Sequence, residues 1–363
     1  LNAKKYNNIK LAISIAKTIL TFILIYLFLK TGYSTELVSY LSKFTGNEYL
    51  LFLLFVAVTG FAMSVVFSPL NFYSDFILEH KYNLSNQNFF QWVWENLKST
   101  LVAGIIGIPL LLAFYYSIRS FGELWWLPFS ILLFLFSVVL AKFLPVVILP
   151  LFYKIKPLEN ENLKNKIDTL AKNAGMKIEN LYQFNMSKNT KKANAMFTGL
   201  GKTKKIILGD TLLEKFNEDE IETVIAHELG HYKHKHIVKN LVIGVFSSFL
   251  TFYLMAYFYK LSLPWFGFTD ISQIDAIPLL SLWAMVIGLL LEPVTNIISR
   301  KFEYEADKYA VISTGKKEVF INALEKLTEQ NLSDKDPHPF VEWFFYSHPS
   351  IKNRIRFIKS VKF

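Results

Sequence analysis

Four of the chain's seven histidines fall within ten residues, HELGHYKHKH, from His227 to His236. On a helix, residues four apart share a face, so His227 and His231 can aim two imidazoles at one ion. Glu228 lies one position round and can reach a water on that ion. This is the HExxH pattern, and its chemistry is hydrolysis by metal-activated water with the glutamate as base. The chain has no cysteine, which excludes disulfides, thiolate nucleophiles and thiolate ligands. Any metal must be held by histidines and carboxylates.

A catalytic zinc takes three protein ligands and keeps one position for water, so HELGH is one ligand short. The chain after it is apolar over 237–259 and again over 276–299, and the next polar segment is SRKFEYEADKYA. Two crossings of a bilayer return the chain to the face it left, which brings Glu303 back to His227 and His231. Asp307, one helical turn beyond, can accept a hydrogen bond from a ligand imidazole and orient it. His234 and His236 are rivals for the third ligand. They continue the same helix and would crowd one hemisphere of a tetrahedron, which favours Glu303. Glu305 points about 200° round a helix from Glu303 and is expected in solvent or paired with a lysine.

The elements that must position these residues are mostly apolar. At 363 residues, with 52% hydrophobic and 16% aromatic composition and a positive mean hydropathy, the chain carries more apolar surface than one soluble core hides. Six stretches, about 11–29, 50–70, 100–118, 124–152, 237–259 and 276–299, are long enough to cross a bilayer. The fourth contains Pro145 and Pro150 and is either one kinked helix or a helix with a re-entrant turn. The first is long for a signal sequence and is expected to be retained. An even number of spans puts the N-terminus, the polar block 154–236 and the tail 300–363 on one side. All three are lysine-rich while the opposite loops carry few basic residues, so the positive-inside rule places them in the cytoplasm, the expected setting being a bacterial inner membrane. The net charge of +10 is spread along loops with no aromatic-basic module, so nucleic acid is not an expected partner. The lipid bilayer is, and a monomer is compatible with the sequence.

The expected architecture is an α-helical integral membrane protein with a small α+β domain: spans over 1–153, the α+β block over 154–236, a membrane hairpin over 237–299 and a polar tail over 300–363. Within the block, ENENLKNKIDTLAKNAGMK reads as a helix ending near Gly175, and LYQFNMS, ANAMFTGLG and KKIILGD read as short strands. Asn217 and Glu220 form a capping-box pattern at the start of the helix that continues through HELGH, where the small Gly230 allows close packing. ANAMFTGLG reads as an edge strand, beside which an extended peptide would gain backbone hydrogen bonds whatever its sequence. The tail offers an amphipathic helix over 316–330 and a basic helix after Pro349. Glu292 is a carboxylate inside a span and shares a face with Glu303 and Asn296. That stripe either lines a water-filled interior or makes one buried hydrogen bond to a neighbouring helix.

HELGH, SRKFEYEAD, NAMFTG, FILEHKYNLS and SHPSIKNRI together resemble the integral-membrane zinc metalloproteases of the CAAX prenyl endopeptidase type, from about residue 11 onward. HELGH alone is shared by many metalloproteases; its combination with FEYEAD after a two-span hairpin is much more specific. The resemblance implies a seven-helix ring around a water-filled chamber, closed at one end by the metal domain. It implies one zinc ion per chain on His227, His231 and Glu303, with Glu228 as base. It further implies His348 near the reacting carbonyl, Arg354 as its companion in substrate binding, and Asn194 binding substrate backbone from the edge strand. The six spans read here are one fewer than the seven of eukaryotic members. By the residues themselves, His348 is a donor to developing negative charge, stiffened by Pro349, or an ordinary loop histidine. Arg354 holds a carboxylate of the site or pairs structurally. The implied activity is cleavage of peptides, prenylated C-terminal CAAX peptides among them. An HtpX-like quality-control protease is the alternative. A metal transporter would show repeat symmetry and ligands at mid-membrane, whereas these ligands sit at the membrane edge.

Overall fold

The computed structural model describes residues 2–176, 178–198 and 204–362. Six described helical stretches are long and apolar enough to cross a membrane, matching the six apolar runs in the sequence. Four come first: α1 (Asn2–Lys30), α3 (Glu48–Lys81), α4 (Phe89–Leu124) and α5 (Trp126–Phe152), with the short α2 (Tyr33–Leu41) after α1. Their outer faces carry Ile19, Phe61, Ile105 and Leu135, all exposed, as contact with lipid requires. α5 passes Pro145 without breaking, through a π-helical turn at Leu144–Ile148. A widened turn accommodates a ring that lacks its N–H, so the kinked-helix reading is the one that forms. One face of α1 is polar: Lys10, Ser14, Lys17, Thr18 and Thr21 border a space of about 470 Å³ with Ser74 and Met285. Such a stripe is costly where it would face lipid.

The block that follows holds β1 (Ile155–Pro157), α6 (Glu161–Asn173), β2 (Ile178–Phe184), β3 (Ala195–Thr198) and β4 (Lys204–Gly209). The sheet order is β1-β2-β4-β3. β2 and β4 are parallel, while β1 and β3 pair antiparallel with their neighbours. β3 therefore lies at an edge, as its segment was read; the 199–201 end of that segment lies outside the described residues. The strand expected over LYQFNMS stops at Phe184 and gives way to a 3₁₀ turn at Met186–Lys188. There Asn185 turns its side chain back to accept the Lys154 N–H at 2.7 Å. β1 was not anticipated, because three residues ending in proline show no alternation.

α7 (Asp210–Lys215) leads into α8 (Glu218–Lys233), whose start is the capping box of Asn217 and Glu220 read from the sequence. The chain then breaks at Lys235, which adopts left-handed φ of 56°, and enters the hairpin α9 (His236–Phe266) and α10 (Ile274–Thr314). α11 (Lys317–Gln330), α12 (Pro339–Phe345) and α13 (Ile351–Ser360) complete the tail. Ile167, Leu208, Ile225 and Leu229 from the polar block share one buried core with Phe320, Leu324 and Ile358 from the tail. The two segments on either side of the hairpin thus fold as one unit, because neither alone covers its apolar face.

Candidate active site

α8 delivers His227 and His231 one turn apart, and α10 crosses it where Gly230 meets Ala306. A Cβ on Gly230 would stand 2.8 Å from the Ala306 Cα and 3.0 Å from its carbonyl oxygen. Only a hydrogen fits there, and that close crossing sets Glu303 and Asp307 of α10 against the two histidines.

His227 Nε2 lies 3.4 Å from Glu303 Oε2, and His231 Nε2 lies 3.3 Å from Glu303 Oε1. The two Nε2 atoms are 3.3 Å apart. A tetrahedral site with bonds of about 2.0–2.1 Å has ligand-to-ligand edges of about 3.3–3.4 Å. Each imidazole nitrogen thus stands at about that spacing from the other and from one oxygen of the Glu303 carboxylate, and the three donors form a group that can hold a metal ion.

The hydrogen bonds behind these atoms fix their protonation. His227 Nδ1 donates to Asp307 Oδ1 at 2.9 Å. For His231 the argument takes two steps. Glu305 can only accept, so His236 must carry its proton on Nε2, 2.9 Å from Glu305 Oε2. The His236 Nδ1 is then an acceptor, and His231 Nδ1, 2.9 Å away, must donate to it. Both ligand histidines are left with bare Nε2 lone pairs aimed at each other and at a carboxylate. Glu303 Oε2 is buried with no hydrogen-bond partner among the described residues. Three converging electron pairs call for a cation. Burial by itself would lower the His227 imidazole, but hydrogen bonds to Asp307 and Glu303 outweigh it and raise its pKa to about 9.

His236, a rival for the third ligand position, is instead 1% exposed and stacks on Phe302 with ring centroids 4.2 Å apart. Glu305 pairs with Lys239 at 3.7 Å, as expected of it, and also holds His236. His234 is exposed and stands outside the cluster. Replacing His236 with Leu strands the His231 Nδ1–H and is expected to weaken metal affinity about 10–100-fold, measured by competition with a chelator. His236→Asn, whose side-chain oxygen stands where Nδ1 stood, should recover most of the loss. Wild-type affinity in the Leu variant would show that this chain of bonds is idle.

The tail closes the site. Arg354 forks onto Asp307, with Nε to Oδ2 at 2.9 Å and Nη2 to Oδ1 at 2.5 Å, and Nη1 stands 3.7 Å from Glu303. Burial opposes the charge on this guanidinium, but Asp307 and Glu303 hold its pKa above the ordinary arginine value. His348 presents Nε2 at 3.6 Å from Glu303 Oε1, with 64% of its side chain exposed to the open space of the site. Ser347 Oγ is 3.0 Å from its Nδ1; a hydroxyl donating there leaves the proton on Nε2, facing the ligands. Surrounding protein, with Arg354 and the two ligand histidines, lowers the His348 pKa against the opposing pull of Glu303.

Asn296, read as either lining a water-filled interior or making one buried hydrogen bond, and Arg300, which no motif singled out, anchor the loop that carries His348. Asn296 is buried and donates to the Phe344 carbonyl at 2.6 Å, and Arg300 donates to the carbonyls of Glu342 and Tyr346 at 2.9 and 2.5 Å. Asn296 thus follows the alternative of one buried hydrogen bond; Glu292 is half-buried on the same helix. The i, i+4 spacing of Asn296 and Arg300 ahead of Glu303 was the available signal. Glu342 in turn accepts from Ser350 N–H and from Asn353, which accounts for the SHPSIKN pattern.

A pocket of about 380 Å³ runs from these residues along β3. Glu228, Asn194, His348 and Arg354 all border it, together with Ala195 and Asn331. Glu228 is half-buried and makes no hydrogen bond among the described residues. FILEHKYNLS, the motif farthest from HELGH in sequence, joins the membrane region to this pocket. Glu79 accepts from the Tyr6 hydroxyl at 2.5 Å and pairs with Lys10 and Lys192, each at 3.0 Å. Lys192 directly precedes the pocket segment Ala193–Ala195.

The model of peptidase family M48 matches residues 157–362. A second, described as CAAX prenyl protease N-terminal, five membrane helices, matches residues 1–154, where four candidate spans are found here. The chain is 31% identical over 358 residues to the uncharacterized metalloprotease YhfN of Bacillus subtilis, covering 98% of this chain and 84% of that protein. It is 32% identical over 324 residues to CAAX prenyl protease 1 of Saccharomyces cerevisiae, covering 84% of this chain and 71% of the yeast protein. The crystal structure of S. mikatae Ste24p matches with a TM-score of 0.87 at 28% identity, over 98% of this chain and 88% of that one.

Proposed function

We propose a mechanism and a substrate from one premise: this chain belongs to peptidase family M48 and carries the membrane domain of the CAAX prenyl proteases. It is an integral, multi-pass membrane metalloendopeptidase. The observation that carries the proposal is a three-donor cluster with His348 beside it, next to a pocket bordered by His348, the Glu228 carboxylate and the start of the edge strand.

The metal is proposed to be zinc, held by His227, His231 and Glu303, since a nitrogen- and oxygen-donor set with tetrahedral edges suits it. Bound zinc supplies a Lewis acid and brings the pKa of its water to about 7. Glu228 takes the proton of the attacking water and delivers it to the leaving amine. His348 Nε2–H donates to the carbonyl oxygen as it gains negative charge, a contribution of about 3 kcal/mol in comparable sites. Asp307 and His236 keep the ligand imidazoles in the required tautomers, and Arg354 holds Asp307 rather than substrate. The peptide lies along β3, with Asn194 bonding its backbone.

The substrate class is proposed to be prenylated C-terminal CAAX peptides, following the relatives' names, with Glu292 and the polar face of α1 lining a water-filled interior. The positive-inside argument puts the site on the cytoplasmic side of a bacterial inner membrane. A panel of prenylated and unprenylated peptides, incubated with purified protein before and after chelation and zinc restoration, tests these points together. Cleavage should stop on chelation, return with zinc and favour the prenylated members. Equal rates across the panel would remove the CAAX-type substrate, and activity that survives chelation would remove the metal mechanism. The HtpX-like reading has no separate observation in its favour.

A further inference from the structure

We infer that Asn331 sets the point at which a bound peptide stops pairing with β3, and so limits how many residues can follow the cleaved bond. This rests on the edge-strand reading above. The register decides which backbone groups are free. Gly209 N–H donates to the Asn194 carbonyl at 2.9 Å, so Asn194 turns its backbone inward to β4. Alternate residues of a strand turn to opposite edges, and Ala193 and Ala195 therefore face outward.

The outward pair of Ala193 is already taken. Asn331 Oδ1 accepts the Ala193 N–H at 2.8 Å, and Asn331 Nδ2 donates to the Ala193 carbonyl at 3.1 Å. One side-chain amide thus makes the two bonds that a residue of a neighbouring strand would make. Ala195, the next outward residue, makes no such bond among the described residues and borders the same pocket. A peptide antiparallel to β3, the stronger pairing mode, runs its C-terminal end toward Ala193. Asn331 stands across that line. The site accordingly favours bonds with few residues beyond them.

Asn331 is held where it is. α11 ends in a Schellman arrangement, with Leu332 N–H to Glu329 at 3.2 Å and Ser333 N–H to Thr328 at 2.9 Å. Leu332 takes the left-handed position at φ 52°, where glycine is usual. A leucine kept there needs external support, and the membrane region provides it. Asn7 of α1 donates to the Leu332 carbonyl at 2.8 Å, Leu332 packs against Tyr6, Leu78 and Leu84, and the Gln330 side chain donates to the Lys191 carbonyl.

The test uses the zinc-loaded full chain and peptides identical up to the cleaved bond, with short to long extensions after it. Wild-type kcat/KM should fall as the extension grows. Asn331→Ala frees the Ala193 pair and should raise kcat/KM for the longest peptides about tenfold, the size of one or two net hydrogen bonds, while the shortest changes least. Asn331→Ser serves the same comparison if the Ala variant does not accumulate. Asn194→Ala should lower every length alike. An impaired Asn194→Ala beside an unchanged length profile, or a uniform loss, in the Asn331 variants overturns this inference alone. Full activity of Asn194→Ala at every length overturns the edge-strand reading and this inference with it.

Discussion

Glu228→Gln is expected to lower peptide hydrolysis by about 10²–10⁴-fold, the range that a positioned general base contributes, with metal content unchanged. The substitution keeps size and shape and removes only the ability to accept a proton. Glu228 is not among the three side chains whose donors converge, and no hydrogen bond to its side chain is found among the described residues, so removing its charge costs the fold only its share of the field that favours the Arg354 cation. Hydrolysis and metal stoichiometry measured on the same sample separate the outcomes. A variant that binds metal and cleaves within a few-fold of wild type would mean that the base lies elsewhere.

Gly230→Ala is expected to dismantle the same site from the opposite direction, by geometry rather than chemistry. Propensity alone predicts a gain: alanine in place of a mid-helix glycine stabilises a helix by about 1 kcal/mol. The added methyl, however, would meet the Ala306 Cα at 2.8 Å and its carbonyl oxygen at 3.0 Å, both backbone atoms that cannot swing aside. Overpacking of this kind costs about 1–3 kcal/mol, so the sign reverses. The relief available is separation of α8 from α10, which pulls Glu303 and Asp307 away from His227 and His231. Metal stoichiometry after dialysis should fall together with activity and thermal stability. Retention of both metal and stability would show that the close crossing is not what assembles the site.

Much of this site was legible before any coordinates. HELGH fixes its own geometry because helical periodicity is local, and the capping box at Asn217 and Glu220 reads directly for the same reason. The third donor was legible through topology: an even pair of crossings must return FEYEAD to the face that HELGH left. The six spans were legible because lipid demands long uninterrupted apolar runs. The resemblance supplied Asn194, His348 and Arg354, whose local sequence carries little chemistry on its own.

What stayed hidden depends on contacts between segments distant in sequence. No periodicity says that Glu305 reaches His236 as well as a lysine, or that Arg354 spends its fork on Asp307. The bond between Asn331 and Ala193 joins the end of one helix to the start of a strand, across the membrane hairpin. By itself, then, the sequence determined which chemistry is possible, because residue type and helical spacing are local properties. Only the tertiary structure decided which polar groups meet, because in a packed interior every buried donor must find a particular acceptor, and that choice is made by the whole fold at once.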